Sequence, residues 1–208
     1  MNSNKALTLV AIIFFLGIAA SWLIEQNEVV SVPAASDGNE PDLYMANALI
    51  TQFDNNGRPT HRISSARFTH FPANDITTLL APDILLFDET EPLPWNLTSQ
   101  EGRILSSSAL SPPASGKERD DIVELWNHVL VRKENPDGRY LYVQTESLSV
   151  FLQTDYLESD DKVLIDDNAG RTTTAGMRAH LSEGRFYLYG NDEQRVHTIL
   201  LPSELAPK

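Results

Sequence analysis

Asn47 to Leu86 reads NALITQFDNNGRPTHRISSARFTHFPANDITTLLAPDILL, and its punctuation decides the fold class. Ala48, Ile50 and, less regularly, Phe53 lean to one side before the turn Asp54-Asn55-Asn56-Gly57. A second polar–apolar run follows through Ile63, Ala66 and Phe68, and Phe71-Pro72-Ala73-Asn74-Asp75 makes another turn. Ile76–Leu80 and Ile84–Phe87 are two further short apolar runs. Asn-Gly after a short polar cluster supplies the positive φ of a tight hairpin. Runs of this length between turn signals, with no sustained helical spacing, predict an antiparallel meander.

The same device recurs downstream. Trp95–Thr98, Gly102–Leu105, Ile122–Glu134 and Arg139–Thr145 have strand character, and Asn135-Pro136-Asp137-Gly138 is a turn. Three pieces resemble weak copies of one unit: Ser65–Leu80, Glu146–Ile165 and Ala175–Gly190. Their equivalent inward positions are Phe68, Leu148 and Met177, followed two residues on by His70, Val150 and Ala179. Arg195–Leu201 is a last strand candidate. The chain is read as all-β outside its first segment.

That first segment, Ala6–Ile24, has no charge over 19 residues, close to the ~20 that span a bilayer core. Lys5 precedes it and Glu25 and Glu28 follow, which keeps residues 1–5 in the cytoplasm and the bulk of the chain outside. A cleaved signal peptide ending at Ala19-Ala20-Ser21 is the rival reading. The apolar run continues past that site through Trp22-Leu23-Ile24, so a retained single-pass anchor is expected. Residues 25–40 read as a tether, 41–202 as the folded domain, 106–121 as a mobile Pro/Ser-rich loop within it, and 203–208 as a tail.

Composition excludes several functions. A formal net charge of -13 argues against a nucleic-acid partner, which needs clustered Lys and Arg. With no cysteine there is no disulfide, thiolate metal site or Cys nucleophile. The five histidines are scattered without metal-ligand spacing. Asp54-Asn55-Asn56-Gly57 departs from a calcium loop in its early Gly and in Ser65 where a bidentate Glu is required. Ser159-Asp160-Asp161-Lys162 matches Ser-x-x-Lys but sits in an acidic turn without partner motifs. Adjacent acids such as Asp160-Asp161 point to opposite faces of a strand. No enzyme, cofactor or metal is expected. What remains is apolar strand surface with no helix to cover it, so the sheet must curl on itself. Its interior is either filled by side chains or left open as a slot for an apolar ligand, and periodicity does not choose. By alternation Ala48, Ile50, Phe68, Leu79, Ile84, Leu86, Leu148, Val150, Phe186, Leu188 and Leu200 face inward.

The order of Pro41-Asp42-x-Tyr44, the Asp-x-x-Gly turn, Ala66, His70-Phe71-Pro72, Leu79, Ala81-Pro82, Pro94-Trp95 and Glu101-Gly102-Arg103 resembles the LptC family of Gram-negative bacteria. Thr145-Glu146-Ser147-Leu148 and Gly176-Met177 with Leu181 fit as well. The insertion around Pro112-Pro113 and a terminal strand Val196–Leu200 without an aromatic depart from it. The resemblance implies a twisted, V-shaped β-jellyroll in the periplasm, anchored in the inner membrane. It implies lipopolysaccharide transport to the outer membrane, with lipid received from an ABC transporter and passed to LptA. It places lipid at Ala48, Leu79, Phe186 and Leu200, the transporter at an edge near Leu43–Phe53 (Leu43, Tyr44, Ala48, Phe53), and LptA at the edge Phe186–Leu200 (Val196, Thr198, Ile199, Leu200). An acidic domain does not attract a phosphorylated headgroup by net charge. Affinity is therefore expected from acyl chains, at roughly 0.8 kcal/mol per buried CH2. The chain carries no nucleotide site, so hydrolysis belongs to a partner. Two other readings use the same fold: a tethered binding module for another amphiphile, and a scaffold with a solid core.

Overall fold

A computed structural model describes residues 40–88, 93–105 and 121–202. The expected anchor and tail lie outside the described residues, as do the expected tether apart from Glu40 and the expected loop apart from Asp121. Among the described residues there is no helix long and apolar enough to cross a membrane, and all regular structure is strand.

Among the described residues fourteen strands form one antiparallel sheet: β1 (Leu43–Phe53), β2 (Pro59–Phe71), β3 (Ile76–Leu80), β4 (Asp83–Leu86), β5 (Trp95–Thr98), β6 (Glu101–Leu105), β7 (Ile122–Glu134), β8 (Tyr140–Phe151), β9 (Tyr156–Ser159), β10 (Val163–Asp167), β11 (Gly170–Thr174), β12 (Gly176–His180), β13 (Arg185–Tyr189) and β14 (His197–Leu200). The sheet becomes two layers because its long strands change partners halfway. β2 pairs β4 through His61–Ser64 and β3 through Arg67–Phe71. β7 pairs β6 through Ile122–Trp126 and β5 through Leu130–Arg132. β8 pairs β10 through Leu141–Gln144 and β9 through Ser149–Phe151. One layer therefore continues through β3, β6, β9, β12 and β13, the other through β4, β5, β10, β11 and β14. β1 runs the full length of β2 and belongs to both.

Each change of layer is marked by a break in the alternation. In β2 the buried residues are Ile63 and Ser65 and then Phe68 and Thr69, with Ala66 and Arg67 exposed between them. Opposite the break, Asn47 of β1 has φ 48°. In β7 the left-handed pair Asn127 (φ 63°) and His128 (φ 58°) forms a bulge against β8. A strand leaving one layer for another orphans backbone groups, and buried hydroxyls occupy these points. Ser65 Oγ donates to the Leu80 carbonyl at 2.7 Å and accepts from the Leu80 N–H at 3.1 Å. Thr145 and Ser159 share a hydrogen bond at 3.0 Å. Thr174 Oγ1 donates to the Tyr189 carbonyl at 2.5 Å, where β11 gives way to β12.

The weak internal repeat is a real one. β2–β3, β8–β9 and β12–β13 close on the pairs Phe71/Ile76, Phe151/Tyr156 and His180/Arg185. In each four-residue turn the last residue is left-handed: Asp75 (φ 52°), Asp155 (φ 49°) and Gly184 (φ 61°). Gly57 (φ 79°) and Gly138 (φ 84°) supply the same conformation in the turns β1–β2 and β7–β8. Arg139–Thr145 proves to be the first half of a strand that continues to Phe151.

Candidate functional site

The core lies between the layers. Phe68 is 1% exposed and Leu79 4%, while Ile84, Val150 and Leu157 are wholly buried. Leu86 and Leu148 are equally enclosed, and Ala48, Phe186 and Leu188 are half-buried against this core. Register explains the half-burial of β1: Met45, Ala48 and Ile50 stand opposite Phe68, Ser65 and Ile63, all buried. They share the inner face on a strand whose other side has no partner among the described residues.

Two inward expectations need correcting. Ile50 is 39% exposed and Leu200 73%. Leu200 pairs with Gly170, whose layer-mates Thr172 and Thr174 stand opposite Ile165 and Val163 of the buried face, so its parity is inward. Both residues belong to outermost strands, where the facing layer no longer covers them. Alternation assigns a face but says nothing about whether that face is roofed.

The second correction concerns the edges. Phe186–Leu200 is not one edge. β13 ends the layer of β12, whereas β14 ends the layer of β11. Val196 precedes β14 and is 43% exposed, and Thr198 is exposed but hydrogen-bonded to Thr172. Ile199 (56%) and Leu201 (46%) extend this apolar surface. At the opposite end Leu43, Tyr44, Leu49 and Phe53 are exposed along β1. The sheet thus presents apolar surface at both ends of its path.

The interior also holds polar groups that strand alternation alone could have found. After Val129 and Val131, Lys133 continues the inward parity of β7 and is 8% exposed. Its Nζ lies 4.6 Å from the centroid of the Trp95 ring. Trp95, itself 5% exposed, meets Phe186 of the facing layer with centroids 6.2 Å apart. The Trp95 Nε1 is buried without a hydrogen-bond partner. His61, inward on β2, has its pKa lowered by burial, opposed by the charge of Asp121. Burial raises that of Asp155, helped by Asp88. Two clefts of about 260 and 390 Å³ lie on the outer face where β7 and β8 bend, bordered by Glu124, Trp126 and Glu158 in one and His128, Glu146 and Lys162 in the other. Among the described residues no three His, Asp or Glu side chains gather as a metal site.

These features define an all-β scaffold with an apolar interior that surfaces at two outer strands. The chain belongs to the LptC family: the family model described as lipopolysaccharide-assembly, LptC-related, matches residues 9–194. It is thus a component of lipopolysaccharide assembly. No curated protein matches it. Among solved structures it is similar to LptH of Pseudomonas aeruginosa, described as the LptA-homologous periplasmic component of the lipopolysaccharide transport device. Identity is 10% and the TM-score 0.44, covering 80% of this chain and 99% of that one, and a similarity of that size carries no argument.

Proposed function

We infer that this chain carries lipopolysaccharide between an inner-membrane transporter and a periplasmic acceptor of the LptA kind, holding acyl chains between its layers. The observation that carries this is the inner face emerging uncovered at both ends, through Ile50 on β1 and Leu200 on β14. A lipid chain laid along that face is sheltered in the middle and open to transfer at the rims. Family membership supports a periplasmic position for the two-layer domain and a V-shaped jellyroll opening at its edges. The charge-free stretch Ala6–Ile24 supports a single-pass inner-membrane anchor. Strand pairing at β1 with the transporter and at β14 with the acceptor is β-augmentation, which uses backbone groups and asks no catalytic residue of this chain.

The complete enclosure of Ile84, Leu97, Val123 and Leu157 favours a filled centre, so lipid contacts are assigned to the rims and to Leu79 and Phe186 on the inner face rather than to the middle of the core. Photo-crosslinkers in cells test this. Ile50 and Leu200 should capture lipopolysaccharide, while their outward neighbours Leu49 and Ile199 should capture protein. Lipid captured by the outward pair alone would reverse the inner face, and lipid at none of the four would leave only a scaffold.

A further inference from the structure

We propose that Phe151, Tyr156, His180 and Tyr187 form a platform on the outer face of the sheet that binds the saccharide of an amphiphile whose chains lie on the inner face, an inference that rests on the lipid-carrying reading above. Register puts the four rings on one side. Tyr156 stands opposite Phe151 on β8 and His180 on β12, and their neighbours Val150, Leu157 and Ala179 are wholly buried between the layers. Tyr187 lies between Phe186 and Leu188, which pack on the core, so it too points outward and is 52% exposed. The rings follow one another across four strands. Centroids are 5.3 Å apart from Phe151 to Tyr156, 4.9 Å on to His180 and 6.5 Å on to Tyr187. Cross-strand aromatic pairs stabilise any sheet, yet packing alone does not ask for rings here. The same row continues through β7, β6 and β3 as Ile122, Leu105 and Ile76 before it meets another ring, Phe71. The unbroken run of rings is the part that reaches the edge at β13.

A sugar suits this surface. A pyranose turns a face of C–H bonds towards an aromatic ring, whose π-face is negative, and carries its hydroxyls around the rim. Groups that bond hydroxyls flank the rings. Arg178 stands opposite Glu158 on one side and Tyr187 on the other, and its guanidinium lies 4.0 Å from the Glu158 carboxylate. The Tyr156 hydroxyl donates to the same carboxylate at 3.0 Å. Continuity with the inner face decides which sugar. β13 ends its layer, with β12 as its one partner among the described residues. Phe186 and Tyr187 are consecutive residues on its two faces. An acyl chain held at Phe186 therefore has its head at that edge, one residue from Tyr187, and the head of a lipopolysaccharide is saccharide. A peptide docking here would use the free backbone groups of β13 and would have no need of rings on three further strands. Neutral sugar residues are also indifferent to the formal charge of -13, which repels anions.

The test uses the full chain in phosphatidylcholine nanodiscs, with 13C-labelled Tyr rings and Leu methyls read by NMR and the rings assigned through Tyr156→Phe and Tyr187→Phe. Lipopolysaccharide, the oligosaccharide freed from it by mild acid, and a purified acceptor of the LptA kind are titrated separately. In the wild type the oligosaccharide should shift the Tyr156 and Tyr187 rings saturably and leave the Leu79 and Leu188 methyls unmoved, whereas lipopolysaccharide should shift both sets. Tyr187→Ala should weaken oligosaccharide binding about tenfold, read at Tyr156, and Tyr187→Phe should keep it. Tyr140→Ala, which removes a ring stacked on Tyr142 on the outer face of the other layer, should change nothing. Unchanged thermal midpoints show that the variants fold. If the oligosaccharide moves no ring, or binds the wild type and Tyr187→Ala equally, the platform is overturned, and methyl shifts with lipopolysaccharide would still uphold the lipid-carrying reading. If lipopolysaccharide moves neither methyl, that reading fails and the assignment of the sugar to an amphiphile fails with it. Rings shifted by the acceptor alone would make this face a protein contact and sink the proposal.

Discussion

Ser65 shows how one side chain keeps a layered sheet continuous. It serves as both acceptor and donor for the backbone of Leu80, at the point where β2 leaves β4 for β3. Ser65→Ala should strand both groups and cost about 1–3 kcal/mol in denaturant unfolding; a loss below a few tenths would mean that the layers close without it. His61 gives a pH signature. Burial favours its neutral ring, so its folded pKa lies below the ordinary 6.5 and the unfolded chain binds the extra proton in the window beneath 6.5. Stability should therefore fall as pH drops through that window and be level above it. Asp155, raised above 3.8, acts with the opposite sign in a lower window, holding its proton in the fold and losing that contribution as pH rises through its folded value. Thermal midpoints of wild type and His61→Phe should diverge below pH 6.5, and parallel curves would assign the acid sensitivity elsewhere. At this scale the inward face was legible: Phe68, Leu79, Ile84, Leu86, Leu148 and Val150 are all buried. Ile50 and Leu200 were not, because exposure depends on the opposite layer, which local alternation does not report. Lys133, by contrast, continues the inward parity of Val129 and Val131 and was within reach of alternation.

Among the elements, hairpins were the most legible, since a left-handed residue is a chemical demand that Gly57 and Gly138 advertise. Asp75 and Asp155 meet the same demand less openly, which is why the repeat looked weak. The exchange of partners by β2, β7 and β8 was hidden, because a bulge such as Asn127–His128 resets parity without a Gly or Pro to announce it. β14 hangs on β11 by a close approach at Gly170: a Cβ there would lie 2.0 Å from the carbonyl oxygen of Ile199. Gly170→Ala should release β14 while β7, β8 and the core stay folded. Hydrogen exchange should show amides of residues 197–200 losing protection and those of Val123 and Val150 keeping it, whereas global loss would make β14 part of the core. Ile199→Pro makes the complementary test of partner choice. It should keep transporter binding and lose the LptA-type acceptor in pull-downs. Loss of the transporter instead would exchange the roles of the two edges.

For the whole molecule, the strand-and-turn pattern anticipated an all-β domain in an acidic, cysteine-free chain. It did not anticipate that β1 borders both layers while β13 and β14 terminate one each. The two ends are thus unlike, and a surface of one kind meets a surface of the other only head to tail. Mutual repulsion at a formal charge of -13 opposes such meetings. Raising salt should accordingly increase the sedimentation coefficient of the full chain in nanodiscs progressively, and Ile199→Pro should blunt the increase. A salt-independent coefficient, or one that stops at a closed dimer, would contradict it. A heterologous contact that does not close upon itself has no arithmetic of its own, because every added unit exposes the same unsatisfied end as the last. The length of any row built from these edges is then decided by whichever differently shaped neighbours cap it, and a chain of this design measures no distance by itself.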